Sequence, residues 1–262
     1  MGNLRIAFGE PLGAADAPRL VLGHSLGTSS DLWSDAAVLL AQHFRVITWD
    51  LPGHGASPAA DGAFTIGDLS DIVVGQLDAR GVSSFLYAGV SIGGTVGMDL
   101  ALRHAGRVDG LAVISAGARV DAPADWAERA AKVRLAGTEP LAAGSLQRWF
   151  APATLRRRGE RAASMVEALR RTDDRSYAWA CEALADRDLS ADLPGMNVRT
   201  LALWGEYDRI VPGEKSTELA RELPRGVVQR VPGAAHAAPL EQPSTVARLL
   251  VDFFLGVEAD RG

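Results

Sequence analysis

Seven short apolar stretches, separated by longer segments with helical periodicity, constrain the fold of this 262-residue chain most strongly. They are rich in Val, Ile and Leu and mostly do not alternate with polar residues, which is typical of strands buried on both faces of a parallel sheet. Helical patterns lie between several of them, as at 66–80 and 95–104. This alternation predicts an α/β fold with a mostly parallel central sheet flanked by helices. The predicted strands are residues 4–8, 19–22, 44–49, 85–90, 111–115, 198–204 and 227–231.

The alternation is interrupted between residues 118 and 190, where no strand pattern occurs. Asp125 with Glu128 predicts a capping box at the start of one helix, and Asp174 is expected to cap another. The segment carries 13 basic and 11 acidic side chains, a small positive excess on a chain of net charge −5. We therefore predict a core made of residues 1–117 and 191–262, and a helical cap of residues 118–190 over a pocket for an anion.

Composition and charge exclude several classes of protein. The apolar runs are too short for a transmembrane helix, and the first 20 residues lack the pattern of a signal peptide, so a cytoplasmic location is expected. The single cysteine excludes a disulfide framework and a thiolate metal cluster. Without a basic stripe, neither nucleic acid nor a membrane is an expected partner. Dinucleotide, P-loop and zinc-protease motifs are lacking as well, so we expect no cofactor and no metal.

A serine motif follows the fourth predicted strand directly and precedes a helix directly. Residues 89–93 have the sequence Gly-Val-Ser-Ile-Gly, which matches G-x-S-x-G. Between a strand and a helix this motif forms the nucleophile elbow, a sharp turn that exposes the serine hydroxyl at the carboxyl edge of the sheet. Gly89 and Gly93 supply the small residues that such a turn requires. The motif predicts Ser91 as a nucleophile.

A serine hydroxyl needs a base, because it is hardly ionised at neutral pH. After an elbow serine, an acid and then a histidine follow in chain order. Of the five histidines, His236 lies furthest downstream, in a loop of small residues after the last predicted strand. Two carboxylates, Glu206 and Asp208, follow the strand before it. Asp208 is the expected acid, because it immediately precedes a turn into a helix, and Glu206 is the alternative.

These three positions and several further stretches resemble a known superfamily. With Ser91, Asp208 and His236 in place, the chain resembles the α/β-hydrolases over nearly its whole length, and within them it is most similar to the 3-oxoadipate enol-lactonases of bacterial aromatic catabolism. Leu51-Pro52 and Ala237-Ala238 depart from the residues usual in that family. The stretches that carry the resemblance are 25–28 with Trp33, 89–94, 115–119, 133–134, 147–150 and 177–189.

The resemblance also assigns a role to a second G-x-S-x-G match at residues 23–27. It follows an earlier predicted strand, but no helix begins immediately after it. An α/β-hydrolase places its oxyanion loop there. The backbone amides of Leu26 and Ile92 are then the expected oxyanion donors, and Ser25 lines the pocket. Ser25 as the nucleophile is the less favoured alternative, and His54, in a glycine-rich turn, is expected to be structural.

The enol-lactonase resemblance implies a substrate as well. It would be a small cyclic ester with a carboxylate arm, opened by a serine hydrolase without a cofactor. Arg148 is the first candidate for binding the carboxylate and Arg134 the second, because a guanidinium binds a carboxylate in a bidentate manner. Trp149, next to Arg148, would form a wall of the pocket. The alternatives are another small-acid carboxylesterase, a carbon–carbon bond hydrolase, a perhydrolase, or a ligand receptor without turnover.

Overall fold

One parallel sheet organises the part of the chain that the computed structural model describes, residues 4–119 and 121–256. Six of the seven predicted strands form this sheet, in the order β2-β1-β3-β4-β5-β6, and every neighbouring pair is parallel. The α/β fold predicted from the sequence is therefore confirmed. The strands are β1 (Arg19–Gly23), β2 (Arg45–Trp49), β3 (Phe85–Val90), β4 (Val108–Ile114), β5 (Thr200–Gly205) and β6 (Gly226–Val231).

Burial explains why the inner strands have continuous apolar sequences. Helices cover both faces of a parallel sheet, so side chains on both faces of a strand enter the core. In β3, Phe85, Tyr87 and Val90 are all buried. The edge strand β6 differs, because Val227 and Val228 on it are exposed. The helices of this core are α1 (Ser34–Leu40), α2 (Ile66–Asp78), α3 (Ile92–Arg103), α10 (Gly213–Glu222), α11 (Ala238–Glu241) and α12 (Pro243–Leu255).

Between β4 and β5 the described residues form six α-helices, which we call the helical insertion. Within it, α4 packs against α9, and Trp126, Tyr177 and Cys181 are buried. The insertion comprises α4 (Pro123–Ala136), α5 (Glu139–Ala142), α6 (Ser145–Trp149), α7 (Pro152–Arg157), α8 (Gly159–Arg171) and α9 (Asp174–Ala185). Two 3₁₀ turns complete the fold, Ser30–Trp33 and Leu193–Gly195.

The strand predicted at residues 4–8 is wrong. Only two isolated antiparallel bridges are present in this region, Phe8 with Trp49 and Leu12 with Val46. Pro11 lies between the bridges and has no N–H to donate, which interrupts a continuous ladder. The segment therefore runs along β2 without becoming a strand of the sheet.

Two helix starts in the insertion also differ from the sequence-based expectation. Helix α4 begins at Pro123, with Ala122 at the N-cap and no side-chain cap, so the predicted box of Asp125 and Glu128 is wrong. Proline fits the first position of a helix because its missing N–H has no partner there in any case. Helix α9 is capped by Asp173, whose carboxylate accepts a hydrogen bond from the Ser176 N–H, one residue before the expected cap.

The strand order reverses at the centre of the sheet, and this determines where a site can form. From β1 the chain crosses to β2 on one side, and β3 then pairs with β1 on the other side. In open parallel sheets, ligands bind in the crevice beyond the carboxyl ends of the strands at such a reversal. The loops after β1 and β3 flank this crevice.

Candidate active site

Ser91 lies directly after β3, in a turn with an unusual backbone. Its φ is 55° and its ψ is −120°, a conformation that costs a non-glycine residue about 1–3 kcal/mol and is concentrated at functional sites. The Ser91 N–H donates to the carbonyl of Ile114 at 2.9 Å, which fixes the turn against β4. The hydroxyl does not cap helix α3, although Ser91 occupies the N-cap position. It therefore remains available for chemistry.

The glycines of the turn are required by close backbone contacts. A Cβ on Gly89 would lie 2.2 Å from the carbonyl oxygen of Gly93, far inside van der Waals contact. A Cβ on Gly93 would lie 2.8 Å from the carbonyl oxygens of both Gly23 and His24. The start of helix α3 thus lies directly against the end of β1, and the two G-x-S-x-G segments are in contact.

Asp208 and His236 form a buried pair in the loops after β5 and β6. His236 Nδ1–H donates to Asp208 Oδ2 at 2.9 Å. The second carboxylate oxygen, Oδ1, accepts the N–H groups of Ile210 and Val211 at 2.9 and 3.0 Å. Burial alone would raise the pKa of Asp208, but the charge and hydrogen bond of His236, with the hydrogen bond from Val211, hold the pKa below its usual value. The ionised Asp208 fixes the proton on Nδ1 and leaves Nε2 as the acceptor.

The alternative acid, Glu206, has other partners. Its Oε2 accepts the Gly233 N–H at 2.9 Å, and its Oε1 lies 3.2 Å from Arg230. Among the described residues, no hydrogen bond joins it to His236, and none joins the ring to the Ser91 hydroxyl. Catalytic hydrogen bonds of the latter kind are often long without substrate. The contacts favour Asp208 over Glu206.

The backbone amides of Leu26 and Ile92 are the predicted oxyanion donors. Leu26 lies in the loop after β1, and Ile92 is the first residue of helix α3. None of the hydrogen bonds within the described residues is donated by either amide. The contact between Gly93 and the end of β1 brings the two segments that carry these amides together.

Two buried histidines hold the loop that contains Leu26. His54 Nε2 accepts the Gly27 N–H at 3.1 Å, and its Nδ1–H donates to the Pro52 carbonyl at 2.9 Å. His24 likewise accepts the Leu51 N–H on Nε2, at 2.9 Å. Burial, followed by the nearby His24, lowers the pKa of His54 to about 3, and burial also lowers the pKa of His24. Both rings are therefore neutral acceptors near neutral pH, and the sequence did not reveal that His54 supports this loop.

Comparison with known proteins identifies the family of this chain. The sequence matches the alpha/beta hydrolase fold family over residues 18–243. The chain belongs to this family. It is 29% identical to 3-oxoadipate enol-lactonase 2 of Acinetobacter baylyi over 88% of this chain and 86% of that one. It is 28% identical to the pimeloyl-[acyl-carrier protein] methyl ester esterase of Yersinia enterocolitica over 89% and 92%. The enol-lactonase structure from Burkholderia xenovorans superposes with a TM-score of 0.91 and 32% identity, covering 97% of this chain and 98% of that chain.

The helical insertion contacts the loop after β1 through aromatic side chains. A Cβ on Gly27 would lie 3.2 Å from Tyr177 Cε2 and 3.6 Å from Trp149 Cη2. The Tyr177 ring also stacks on His54, with centroids 6.2 Å apart and an interplanar angle of 21°. Trp149 and Tyr177 therefore both lie beside the loop after β1, and the role of Trp149 as a wall of the pocket stays a prediction.

The two arginines that the sequence analysis proposed for binding a carboxylate have different surroundings. Arg134 is exposed and binds both carboxylate oxygens of Glu182. Arg148 is exposed at the surface of the insertion, and its Nη2 donates to the Leu141 carbonyl at 3.2 Å and to Ser145 Oγ at 3.1 Å. Burial, with the neighbouring Arg129 charge, lowers the pKa of Arg148. Two cationic groups are thus close together.

A third arginine of the insertion, Arg129, was missed by the sequence analysis. Its Nε is buried without a hydrogen-bond partner among the described residues. Its guanidinium carbon lies 5.6 Å from the Trp126 ring centroid and 5.8 Å from the Tyr177 ring centroid. The spacing of Trp126, Arg129, Ala130 and Val133 on one face of α4 was the signal that could have identified it.

Two further observations concern metal ions and membranes. Within residues 4–119 and 121–256, no three His, Cys, Asp or Glu side chains are grouped as a metal ion would require. In the same residues, no helix has the length and apolar character needed to cross a bilayer.

Proposed function

We propose that this α/β-hydrolase is an ester hydrolase in which Ser91 is the nucleophile, His236 the general base and Asp208 the residue that orients the base. The observation that carries the proposal is the buried Asp208–His236 hydrogen bond at the same sheet edge as the strained Ser91 turn. A serine that is placed by a strand-to-helix turn and a histidine whose tautomer is fixed by a carboxylate are the parts that acyl transfer requires.

The reaction would proceed in two steps. Ser91 Oγ attacks the ester carbonyl while His236 Nε2 takes its proton, and the tetrahedral oxyanion is held by the amides of Leu26 and Ile92. Collapse of this intermediate breaks the ester bond, and His236 returns the proton to the leaving oxygen. In a second step, His236 activates water, which attacks the acyl-enzyme and releases the carboxylic acid and Ser91. One water is consumed for each ester bond opened.

The substrate that we propose is a small lactone with a carboxylate arm, of which 3-oxoadipate enol-lactone, hydrolysed to 3-oxoadipate, is the first choice. The enol-lactonase relatives support the ring, and the arginines of the insertion support the anionic arm. In a lactone the leaving enolate stays attached to the acyl-enzyme, so a pocket closed by the insertion retains both ends until water attacks. In this proposal the insertion is a cap.

Arg129 and Arg148 together are the proposed carboxylate site. Arg129 has a buried nitrogen without a partner, and a substrate carboxylate would satisfy it. Arg148 already has two neutral acceptors but no carboxylate partner among the described residues. Arg134 is left out of the site because Glu182 accepts hydrogen bonds from both of its terminal nitrogens.

Hydrolysis of lactones and esters with and without a carboxylate arm tests this proposal. Arg129→Met and Arg148→Met keep an unbranched apolar stem and remove the charge, and Arg134→Met is the matched control. A charge-assisted hydrogen bond contributes about 1.5–3 kcal/mol, so each of the first two variants should lose about 10- to 150-fold in kcat/KM for the anionic substrate. A neutral ester should be nearly unaffected.

Two outcomes would contradict the proposal. Equal losses with neutral and anionic substrates would mean that the arginines hold the insertion in place rather than the substrate. Turnover of neutral methyl esters in preference to every carboxylate-bearing lactone would favour an esterase like the methyl ester esterase relative.

A further inference from the structure

A buried carboxylate lies behind the histidine loop, and the proposed mechanism does not use it. Glu241 is in the short helix α11, five residues after His236, and only 5% of it is exposed. No arginine, lysine or histidine among the described residues forms an ion pair with it. A buried acid without a cationic partner is costly unless hydrogen bonds satisfy its oxygens.

The hydrogen bonds of Glu241 come from two different parts of the chain. Oε1 accepts the N–H of Ala235, the residue before His236, at 2.7 Å. Oε2 accepts the N–H of Ala151 at 2.7 Å and the hydroxyl of Thr154 at 2.8 Å, and both of these residues belong to the helical insertion. One carboxylate therefore joins the histidine loop to the junction between helices α6 and α7.

A second contact joins the same two parts. The carbonyl oxygen of Trp149 accepts the N–H groups of His236 and Ala237, both at 3.1 Å. Every backbone N–H from Ala235 to Ala237 is thus fixed by the insertion or by Glu241. The position of the imidazole depends on the insertion, although it lies some 85 residues away along the chain.

We propose that Glu241 is a positioning residue that sets the His236 ring relative to Ser91 by fastening the histidine loop to the insertion. The inference rests on the proposed function, because it gives Glu241 an effect on the reaction only if His236 is the base. Burial raises the pKa of Glu241, whereas the hydrogen bonds from Ala151, Thr154 and Ala235 oppose that shift. The bridge also means that the α6–α7 corner of the insertion is fixed to the histidine loop and does not open independently of it.

Substitution of Glu241 separates positioning from mere packing. Glu241→Gln keeps the shape of the side chain but replaces one carboxylate oxygen with an NH₂ group. This group cannot accept the hydrogen bonds donated on that side. Glu206→Gln is the matched control, because Glu206 also accepts an N–H of the same loop, from Gly233, but does not contact the insertion. Thr154→Val removes only the hydroxyl contact, and Thr154→Ser restores it.

The readouts are chosen to report on the histidine and the serine. The first is the second-order rate of Ser91 modification by a small neutral fluorophosphonate, which does not need the arginines. The second is the downfield NMR signal of the His236 Nδ1 proton. Misplacement of a catalytic group by about 1 Å costs up to about 100-fold. We expect Glu241→Gln to slow the modification by about 10- to 100-fold and to shift the signal, and we expect Glu206→Gln to do neither.

The results distinguish this inference from the proposed function. If the wild-type enzyme is not modified at all, the proposed function fails. If it is modified and folded Glu241→Gln reacts at the same rate with an unshifted signal, the inference is overturned. Should Glu241→Gln not fold, the Thr154 variants decide: a loss of about threefold or more in Thr154→Val that Thr154→Ser restores supports the bridge, and identical rates refute it.

Discussion

The two G-x-S-x-G segments of this protein have the same sequence pattern and nearly the same position at the sheet edge, yet they form different structures. Residues 89–93 pass directly from β3 into helix α3, and Ser91 has a positive φ of 55°. Residues 23–27 pass from β1 into a loop, and there the positive φ belongs to Gly27 instead. The helix that follows the motif, rather than the motif itself, accompanies the strained turn that we propose makes Ser91 the nucleophile.

The loop with Ser25 is specialised in another way. Its shape depends on hydrogen bonds to the next loop. The Gly27 N–H donates to the ring of His54, and the ring of His24 accepts the N–H of Leu51. The Ser25 carbonyl accepts bonds from within the loop, including the Thr28 hydroxyl at 2.7 Å. One segment thus presents a side chain and the other presents a backbone amide.

Alanine substitution at each of the two serines is the most severe test of this comparison. Ser91→Ala should lower kcat for a neutral activated ester by at least about 10⁴-fold, because the nucleophile is lost. Ser25→Ala should stay within about fivefold, the effect of losing one hydroxyl that lines a pocket. Steady-state kinetics of both variants measure the difference. A dead Ser25→Ala and a live Ser91→Ala would reverse the assignment.

The acid that serves the base gives the next largest expected effect. Asp208→Asn should lower kcat by about 10⁴-fold, because an amide no longer holds the imidazole in the required tautomer. Glu206→Gln should change kcat little, since its partner is an exposed arginine and such pairs contribute about 0–1 kcal/mol. Similar losses in both variants would contradict the assignment of Asp208, rather than Glu206, as the acid.

A smaller effect tests whether the loop after β1 works through its backbone. His54→Phe removes the acceptor of the Gly27 N–H, so the Leu26 amide next to it should shift. Loss of an oxyanion donor costs about 10²–10³-fold, and we expect a displaced one to cost about 10-fold in kcat. His54→Gln offers an oxygen as acceptor and should recover most of the activity. Equal activities of His54→Phe and His54→Gln would contradict the proposed role of His54 in positioning the Leu26 amide.

The smallest effect concerns stability and pH. The pKa of His54 is about 3 in the folded chain, against 6.5 for an ordinary histidine, so between these values only the unfolded chain binds this proton. The free energy of unfolding should therefore fall as pH is lowered from about 6.5, by up to about 1.4 kcal/mol per pH unit. Denaturant titrations at pH 7, 6 and 5 should show a shallower fall in His54→Gln. A slope in His54→Gln equal to that of the wild type would contradict the assignment.

The sequence was sufficient for the features that depend on local pattern. Continuous apolar runs identified six strands of the sheet, because strands of a parallel sheet must bury side chains on both faces. The strand predicted at 4–8 failed for a local reason as well: its apolar pattern was present, but Pro11 interrupts the pairing.

The remaining features depend on contacts between distant segments, which a single sequence does not encode locally. The bond from the Ala151 N–H to Glu241 spans 90 residues, and the bond between Gly27 and His54 spans 27. Arg129 was overlooked because charge alone does not distinguish it from Arg134, which is paired with Glu182 at the surface. Ser91, Asp208 and His236 follow strands whose ends are visible in the sequence, and they lie at one edge of the sheet; their catalytic roles stay predictions.

Covalent labelling tests the difference between the two serine motifs most directly. The wild-type enzyme is incubated with a neutral fluorophosphonate and digested, and the modified peptide is mapped by mass spectrometry. We expect one adduct per chain, on Ser91, and no adduct in Ser91→Ala. An adduct on Ser25, or labelling that persists in Ser91→Ala, would contradict the conclusion that the strand-to-helix turn makes the nucleophile.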